Sequence, residues 1–318
     1  MRRREILAAA AAILASASPA SAQKAHRIGV LTPSTAQWDP KVFEDALQDL
    51  GRRRRDFTIE VRSAEGNLDR LDGLARELVT ENVDVILALN TPGTQAAVRA
   101  TKAVPIVMGF VGDPLGMDFV ASINRPGRNV TGVAIDVPEN VTKRMQLLTE
   151  VAPAAKRIAL LYHPSDPIAR PQIARMETVA LTFGVEWRLF EVGALAALVR
   201  AFEQAKEWRA DAVLRLAGQG LTGGRETAAL ALSHRLPSML LSRADVEAGG
   251  LMSYYIDFNP GWRRLATYVD RILKGAPPGE LPVEYAADYR LVLNRRTAEA
   301  LGLTIPPTLL ARADEVIE

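Results

Sequence analysis

Short apolar runs alternate with amphipathic helical stretches along the whole chain, and the pattern begins a second time partway through. His26-Arg27-Ile28-Gly29-Val30-Leu31-Thr32-Pro33-Ser34 is echoed by Lys156-Arg157-Ile158-Ala159-Leu160-Leu161-Tyr162-His163-Pro164-Ser165. Asn82-Val83-Asp84-Val85-Ile86-Leu87 is echoed by Ala210-Asp211-Ala212-Val213-Leu214, and Val104-Pro105-Ile106-Val107-Met108 by Leu236-Pro237-Ser238-Met239-Leu240. The offsets, from 26 to 156, 82 to 210 and 104 to 236, are 130, 128 and 132 residues. Three echoes in one order describe two lobes of similar topology; a solenoid needs more units at a shorter period. Strand–helix alternation asks for an α/β protein with parallel sheets covered on both faces.

Strands are expected at Arg27–Leu31, Thr58–Ser63, Val83–Leu89, Ile106–Phe110 and Val130–Ile135, with helical patterns at about 39–51, 68–81, 93–102 and 114–124. Val85-Ile86-Leu87-Ala88-Leu89 suits a strand buried on both faces. The tail departs from the repeat. It reads as a helix near 260–274, a Pro/Gly loop from Gly275 to Pro282, a strand near Arg290–Asn294 and helical turns to the end. Elements beyond two complete units imply that the chain recrosses between lobes, making a hinge that permits closure. Residues 26–135 with 258–288 are expected to form the first lobe, and 136–257 with 289–318 the second.

The N-terminus fits a secretory signal peptide: Arg2-Arg3-Arg4, an apolar run from Ile6 to Ala15, and a small-residue segment ending in Ala20-Ser21-Ala22. Cleavage after Ala22 would give a soluble periplasmic chain with no membrane insertion. The sequence contains no cysteine, which excludes disulfides, thiolate chemistry and lipidation at a leader cysteine. The leader holds three of the 39 basic and one of the 37 acidic residues, so the remainder carries 36 of each and is neutral. Nucleic-acid binding needs a basic footprint. The one dense basic run, Arg52-Arg53-Arg54-Arg55, follows Gly51 in a predicted turn and reads as a solvated loop.

In open parallel sheets ligands meet the carboxyl ends of the strands. Those ends are Thr32-Pro33-Ser34, Asn90-Thr91-Pro92-Gly93-Thr94 and Gly112-Asp113-Pro114 in the first unit, and His163-Pro164-Ser165-Asp166, Ala217-Gly218-Gln219-Gly220 and Ser242-Arg243 in the second. Thr91 and Pro92 suit a helix start, whose N–H groups either form an ordinary cap or receive an anion. Asp113 either pairs with a ligand amine or caps the following turn. His163 serves either a ligand hydrogen bond or its His-Pro turn. Gly218-Gln219-Gly220-Leu221-Thr222-Gly223 matches G-x-G-x-x-G, but it follows the third strand of its unit rather than the first, which argues against a dinucleotide. No nucleophile elbow, H-E-x-x-H or P-loop is present, and no cofactor, metal or catalysis is expected.

Arg27-Ile28-Gly29-Val30-Leu31, Val111-Gly112-Asp113-Pro114, Asn124 to Gly132, Glu247 to Tyr254 and the tail from Leu301 to Ile317 together resemble the ABC-transporter substrate-binding family that includes tryptophan- and tyrosine-binding members. The resemblance implies a type I periplasmic binding protein fold of two Rossmann-like lobes. It also implies a small carboxylate-bearing ligand, an amino acid or aromatic acid, delivered by a monomer to an inner-membrane permease. Carried onto this sequence, the ligand residues are Thr32, Ser34, Thr91, Gly93, Thr94 and Asp113, with His163, Ser165, Gln219 and Tyr254 across the cleft. His163 and the Ala217–Gly220 loop depart from the family pattern. A sensory protein that presents its ligand to a membrane receptor, or an enzyme, are the alternatives on this scaffold.

Overall fold

The computed structural model describes residues 25–35, 38–164, 166, 168–218 and 223–318. The leader lies outside them. The first sheet contains β1 (His26–Thr32), β2 (Phe57–Ser63), β3 (Val85–Leu89), β4 (Ile106–Gly112), β5 (Val130–Ile135) and β11 (Glu284–Tyr285), in the order β11-β5-β4-β3-β1-β2. The second contains β6 (Arg157–Tyr162), β7 (Glu186–Glu191), β8 (Ala212–Arg215), β9 (Ser238–Leu240), β10 (Met252–Ile256), β12 (Tyr289–Asn294) and β13 (Glu315–Ile317), in the order β13-β12-β10-β9-β8-β6-β7. Counted within each unit, both sheets follow the order 5-4-3-1-2. The repeat seen in the sequence is therefore a repeat of topology. Every described pairing is parallel except β10 with β12.

Period-two alternation sends neighbouring side chains to opposite faces, so each sheet has two cores. Ile28, Val30, Val85, Leu87 and Val107 point one way from the first sheet. Leu31, Ile86, Ala88, Ile106 and Met108 point the other way. In the second sheet Ile158, Leu160, Ala212 and Leu214 oppose Ala159, Leu161 and Val213.

The chain passes between the sheets three times. It leaves β5 for the helix Val137–Val151, which buries Val141, Met145 and Leu148 against the second sheet. It leaves β10 for the helix Phe258–Leu273, which returns to the first sheet and buries Trp262, Leu265, Ala266 and Val269 there. The third passage joins β11 to β12. The returning helix also holds the loop after Gly51: Arg52 Nε donates to Asp270 Oδ1 at 2.7 Å, with both side chains largely buried. Arg52 is thus an anchor rather than a solvated charge, while Arg53, Arg54 and Arg55 are exposed.

Two local expectations fail. Residues 114–124 form turns instead of a helix, because Asp118 adopts φ +55° and the Asp113 carboxylate accepts the Gly116 N–H at 2.8 Å, pinning a tight turn. The tail forms the expected helical turns at Arg295–Leu301 and Pro307–Leu310 but closes in β13, where Glu315–Ile317 pairs in parallel with Val292–Asn294. Among the described residues no helix is long and apolar enough to cross a membrane.

Gly132 in β5 has φ +137°, and a Cβ there would lie 2.1 Å from the Met108 carbonyl oxygen of β4. Gly132→Ala should cost about 3 kcal/mol or more, as forced backbone displacement does. Gly73→Ala, in a helix with open space around it, should gain about 0.5–1 kcal/mol. Urea denaturation of the two variants checks this contrast.

Candidate functional site

The strand ends of the two sheets enclose a cavity of about 640 Å³. Trp38, Asn90, Phe110 and Ile135 reach it from the ends of β1, β3, β4 and β5. Arg215, Ala217, Gly218, Leu241 and Ser242 reach it from β8 and β9, with Asp245 just beyond. Asp136, Val137 and Asn140 at the first crossing, and Tyr254 to Ile256, Phe258, Trp262 and Tyr289 at the others, complete the wall.

One side of the cavity is aromatic, and a backbone irregularity builds it. The β4–β5 register shifts between Gly109 and Val111, and Phe110 at the bulge has φ +59°. Left-handed backbone is costly for a bulky residue, and bulges of this kind re-aim side chains beside sites. Here the ring meets Phe258 at 4.5 Å and Trp262 at 5.2 Å between centroids, both edge-on. Trp38 meets Trp262 edge-on at 5.2 Å. Gly261 makes room, since a Cβ on it would come within 2.3 Å of Phe110 Cε1. Tyr254 and Tyr289 stack at 5.0 Å across the antiparallel β10–β12 pair. Burial, then the charges of Tyr254 and Asp136, push the Tyr289 hydroxyl up to about 12, so it remains a neutral donor.

The second sheet supplies charge. Arg215, at the end of β8, and Asp245 face the cavity nearly buried, with Nη1 3.7 Å from Oδ2. Asp245 Oδ2 also accepts the Leu241 N–H at 3.2 Å. Behind them Arg144, from the helix Val137–Val151, is 0% exposed. Its Nη2 donates to the carbonyls of Arg215, Met239 and Leu240 at 2.7, 3.3 and 3.0 Å, tying together the ends of β8 and β9. Burial and the neighbouring Arg215 charge pull the Arg144 guanidinium down to about 9, against the opposing pull of Asp245, and leave it a cation at neutral pH. Asp39 and Asp136 are carboxylates on the cavity that also cap helix starts, accepting N–H groups from Val42 and Glu139.

Of the residues singled out in the sequence, Tyr254 lines the cavity. Thr32, Ser34, Thr91, Gly93, Thr94 and Asp113 gather at the first-sheet strand ends, and outside its lining. Thr32 Oγ1 donates to the Ser34 carbonyl, Thr94 Oγ1 to the Ala88 carbonyl. Thr91 does not cap its helix: its hydroxyl accepts the Gly112 N–H at 3.1 Å, and the helix begins at Asn90. Gly93 permits a close approach to the Leu31 carbonyl, 3.2 Å from where a Cβ would sit. His163 is half-buried just after β6, away from the lining. Ser165 and Gln219 lie outside the described residues. Arg215, Asp245, Arg144 and the aromatic wall escaped the sequence reading. A signal existed for one of them: a charge within the apolar run Ala212-Val213-Leu214-Arg215-Leu216.

The family model of ABC transporter substrate binding proteins matches residues 36–317. The chain belongs to that family. It is similar to the tyrosine-binding protein of Clostridioides difficile, 26% identical over 275 residues that cover 83% of this chain and 76% of the relative. Among solved structures, the ABC domain from Streptococcus pneumoniae in complex with L-Trp superposes with a TM-score of 0.84 at 27% identity, covering 92% of this chain and all of that one. A conserved domain protein from Vibrio cholerae superposes at 0.83 and 28% identity, with the same coverage. Family membership thus accords with two sheets facing each other across a cavity.

Phe110 gives a direct test of the bulge. In an ordinary strand glycine is less stable than alanine, but at φ +59° the order should invert. Phe110→Gly is expected to be more stable than Phe110→Ala by about 1 kcal/mol, measured by urea denaturation of both variants.

Proposed function

We propose that this protein is the periplasmic solute-binding component of an ABC importer and holds an aromatic amino acid, or a related aromatic carboxylate, between its two lobes. The observation that carries this reading is the cavity itself: about 640 Å³, with an aromatic wall on one side and a guanidinium on the other. That volume falls within the about 300–1,000 Å³ typical of small-molecule pockets. Stacked and edge-on rings suit a planar apolar body, and Arg215 suits an acid group. Relatives that bind tyrosine or hold L-Trp support the same ligand class.

In this reading residues 26–135 with 258–288 form the first lobe, and 136–257 with 289–318 the second. The crossings act as the hinge. A ligand touching both lobes stabilises the closed arrangement by its differential affinity for it. Thr32, Thr91 and Thr94, with Gly93 and Asp113, stand at the first-lobe strand ends, where the Thr91 and Thr94 hydroxyls bond the Gly112 N–H and the Ala88 carbonyl. The protein then works by capture and release to an inner-membrane permease, without chemistry on its ligand.

A thermal-shift series with the aromatic amino acids and indole- and phenyl-acetates tests the ligand class. At about 100 times the dissociation constant a bound ligand adds about 2.7 kcal/mol, so the melting temperature should rise by roughly 5 °C or more. No rise with any of them would refute the assignment. Export is tested separately: protein recovered from the periplasmic fraction should begin at Gln23 by N-terminal sequencing, and an intact Met1 would count against a cleaved leader.

A further inference from the structure

Arg215 is the one cation among the described residues that line the cavity; the other charged groups there are Asp39, Asp136 and Asp245. Asp39 and Asp136 stand at helix starts beside the first sheet and the first crossing. Arg215 and these two carboxylates therefore come from different parts of the wall, whereas Asp245 stands beside Arg215. Behind Arg215 lies a second buried guanidinium, Arg144, and the buried Asp245 carboxylate stands 3.7 Å from Arg215. Glu226 also acts on Arg215 electrostatically but is exposed to solvent.

Burying a charge without compensation is expensive, and buried guanidinium groups ordinarily have their donors satisfied. Arg144 spends one nitrogen on three carbonyls, while its Nε and Nη1 meet no hydrogen-bond partner among the described residues. Nothing in such an arrangement improves core packing. It holds the β8 and β9 ends together and places positive potential behind the Arg215 wall.

Glycines keep that wall bare. A Cβ on Gly224 would lie 2.0 Å from Asp245 Oδ1 and 2.9 Å from Arg215 Nη1. A Cβ on Gly218 would lie 2.6 Å from Asp166 Oδ2. Gln172, fully buried, fixes Ala217 between β8 and Gly218: its Nε2 donates to the Ala217 carbonyl at 2.7 Å and its Oε1 accepts the Ala217 N–H at 2.9 Å. The cation thus lines the same cavity as Phe110, Phe258 and Trp262.

The geometry points to Arg215 as the receptor for the ligand's carboxylate, with Arg144 as the residue that positions it, so that the acid end of the ligand faces the second lobe and its ring the first. This rests on the aromatic-carboxylate reading of the cavity and gives that reading an orientation. A guanidinium fork binds a carboxylate through two parallel N–H···O bonds, which a neutral amide of the same shape does not reproduce. Arg215 and Arg144 are the specificity-determining pair: they select acids over their amides.

Isothermal titration of the full mature chain with L-tryptophan and L-tryptophanamide, L-tyrosine and L-tyrosinamide, and indole-3-acetate and indole-3-acetamide tests the assignment. The wild-type protein should prefer the acid of at least one pair on the order of 100-fold. Arg215→Gln should remove that preference, bringing acid affinity down to that of the amide. Arg144→Lys should weaken acid binding about 10-fold or more while leaving the amide unchanged; a purely structural role would weaken both alike. Arg215→Lys, which keeps a charge at the site, should retain part of the preference if the glutamine variant fails to fold. An unchanged acid preference in folded Arg215→Gln, or amides bound as tightly as acids by the wild type, overturns the inference and leaves the ligand class standing. Binding of no acid by the wild-type protein overturns the ligand class, and this inference with it.

Discussion

A parallel sheet covered on both faces has only its strand ends left with which to meet another molecule. Both sheets of this protein are in that condition, with apolar clusters on either side of each. Edges offer little: β2 and β7 lie at one end of each sheet, β11 and β13 at the other. Turning the carboxyl ends of the two sheets toward each other creates the cavity, and the three crossings hold them there. Most residues that give the cavity its character therefore lie at a strand end, at a crossing or at the helix start that follows one.

The two halves of the wall are made by opposite means. On the first-sheet side a bulge turns Phe110 into left-handed backbone, a local cost repaid by ring contacts with Phe258 and Trp262 and by the space that Gly261 leaves. On the second-sheet side the cost is electrostatic, since Arg144 and Arg215 lie buried there beside Asp245. Neither arrangement is what a chain optimised for stability alone would contain. A strained bulky residue on one wall and buried guanidinium groups on the other are local costs that a recognition site can explain.

The fold was legible because its signals are local and repeated. Val85 to Leu89 and Val130 to Ile135 form strands at the positions their apolar runs indicate, and the echo of residues 26–34 at 156–165 marks corresponding strands β1 and β6 in the two sheets. The site was legible only as a region. Strand-end loops were the right places to look, but which side chain faces inward depends on one-residue events that composition does not show. The Thr91 hydroxyl accepts the Gly112 N–H, and the bulge at Phe110 brings an apolar residue into the cavity wall. Arg144 was beyond reach for a different reason: on an amphipathic helix an arginine is expected at the surface, and only the tertiary arrangement carries it beneath β8 and β9. Turns at 114–124 show the reverse case, where a single carboxylate–amide bond overrode a helical pattern.

The helix Phe258–Leu273 has a consequence for the order of assembly. Trp262, Leu265 and Val269 seal one face of a sheet whose first strand begins at His26. Until that late segment emerges, this face has only Phe43, Ala46 and Leu47 of the helix Pro40–Asp49 over it, and the early half of the chain cannot finish its core. A nascent or truncated chain ending before residue 258 would consequently expose a wide apolar sheet face, inviting chaperones or aggregation rather than yielding a stable half-protein. The two lobes look like duplicates on paper, yet neither half of the sequence is self-sufficient.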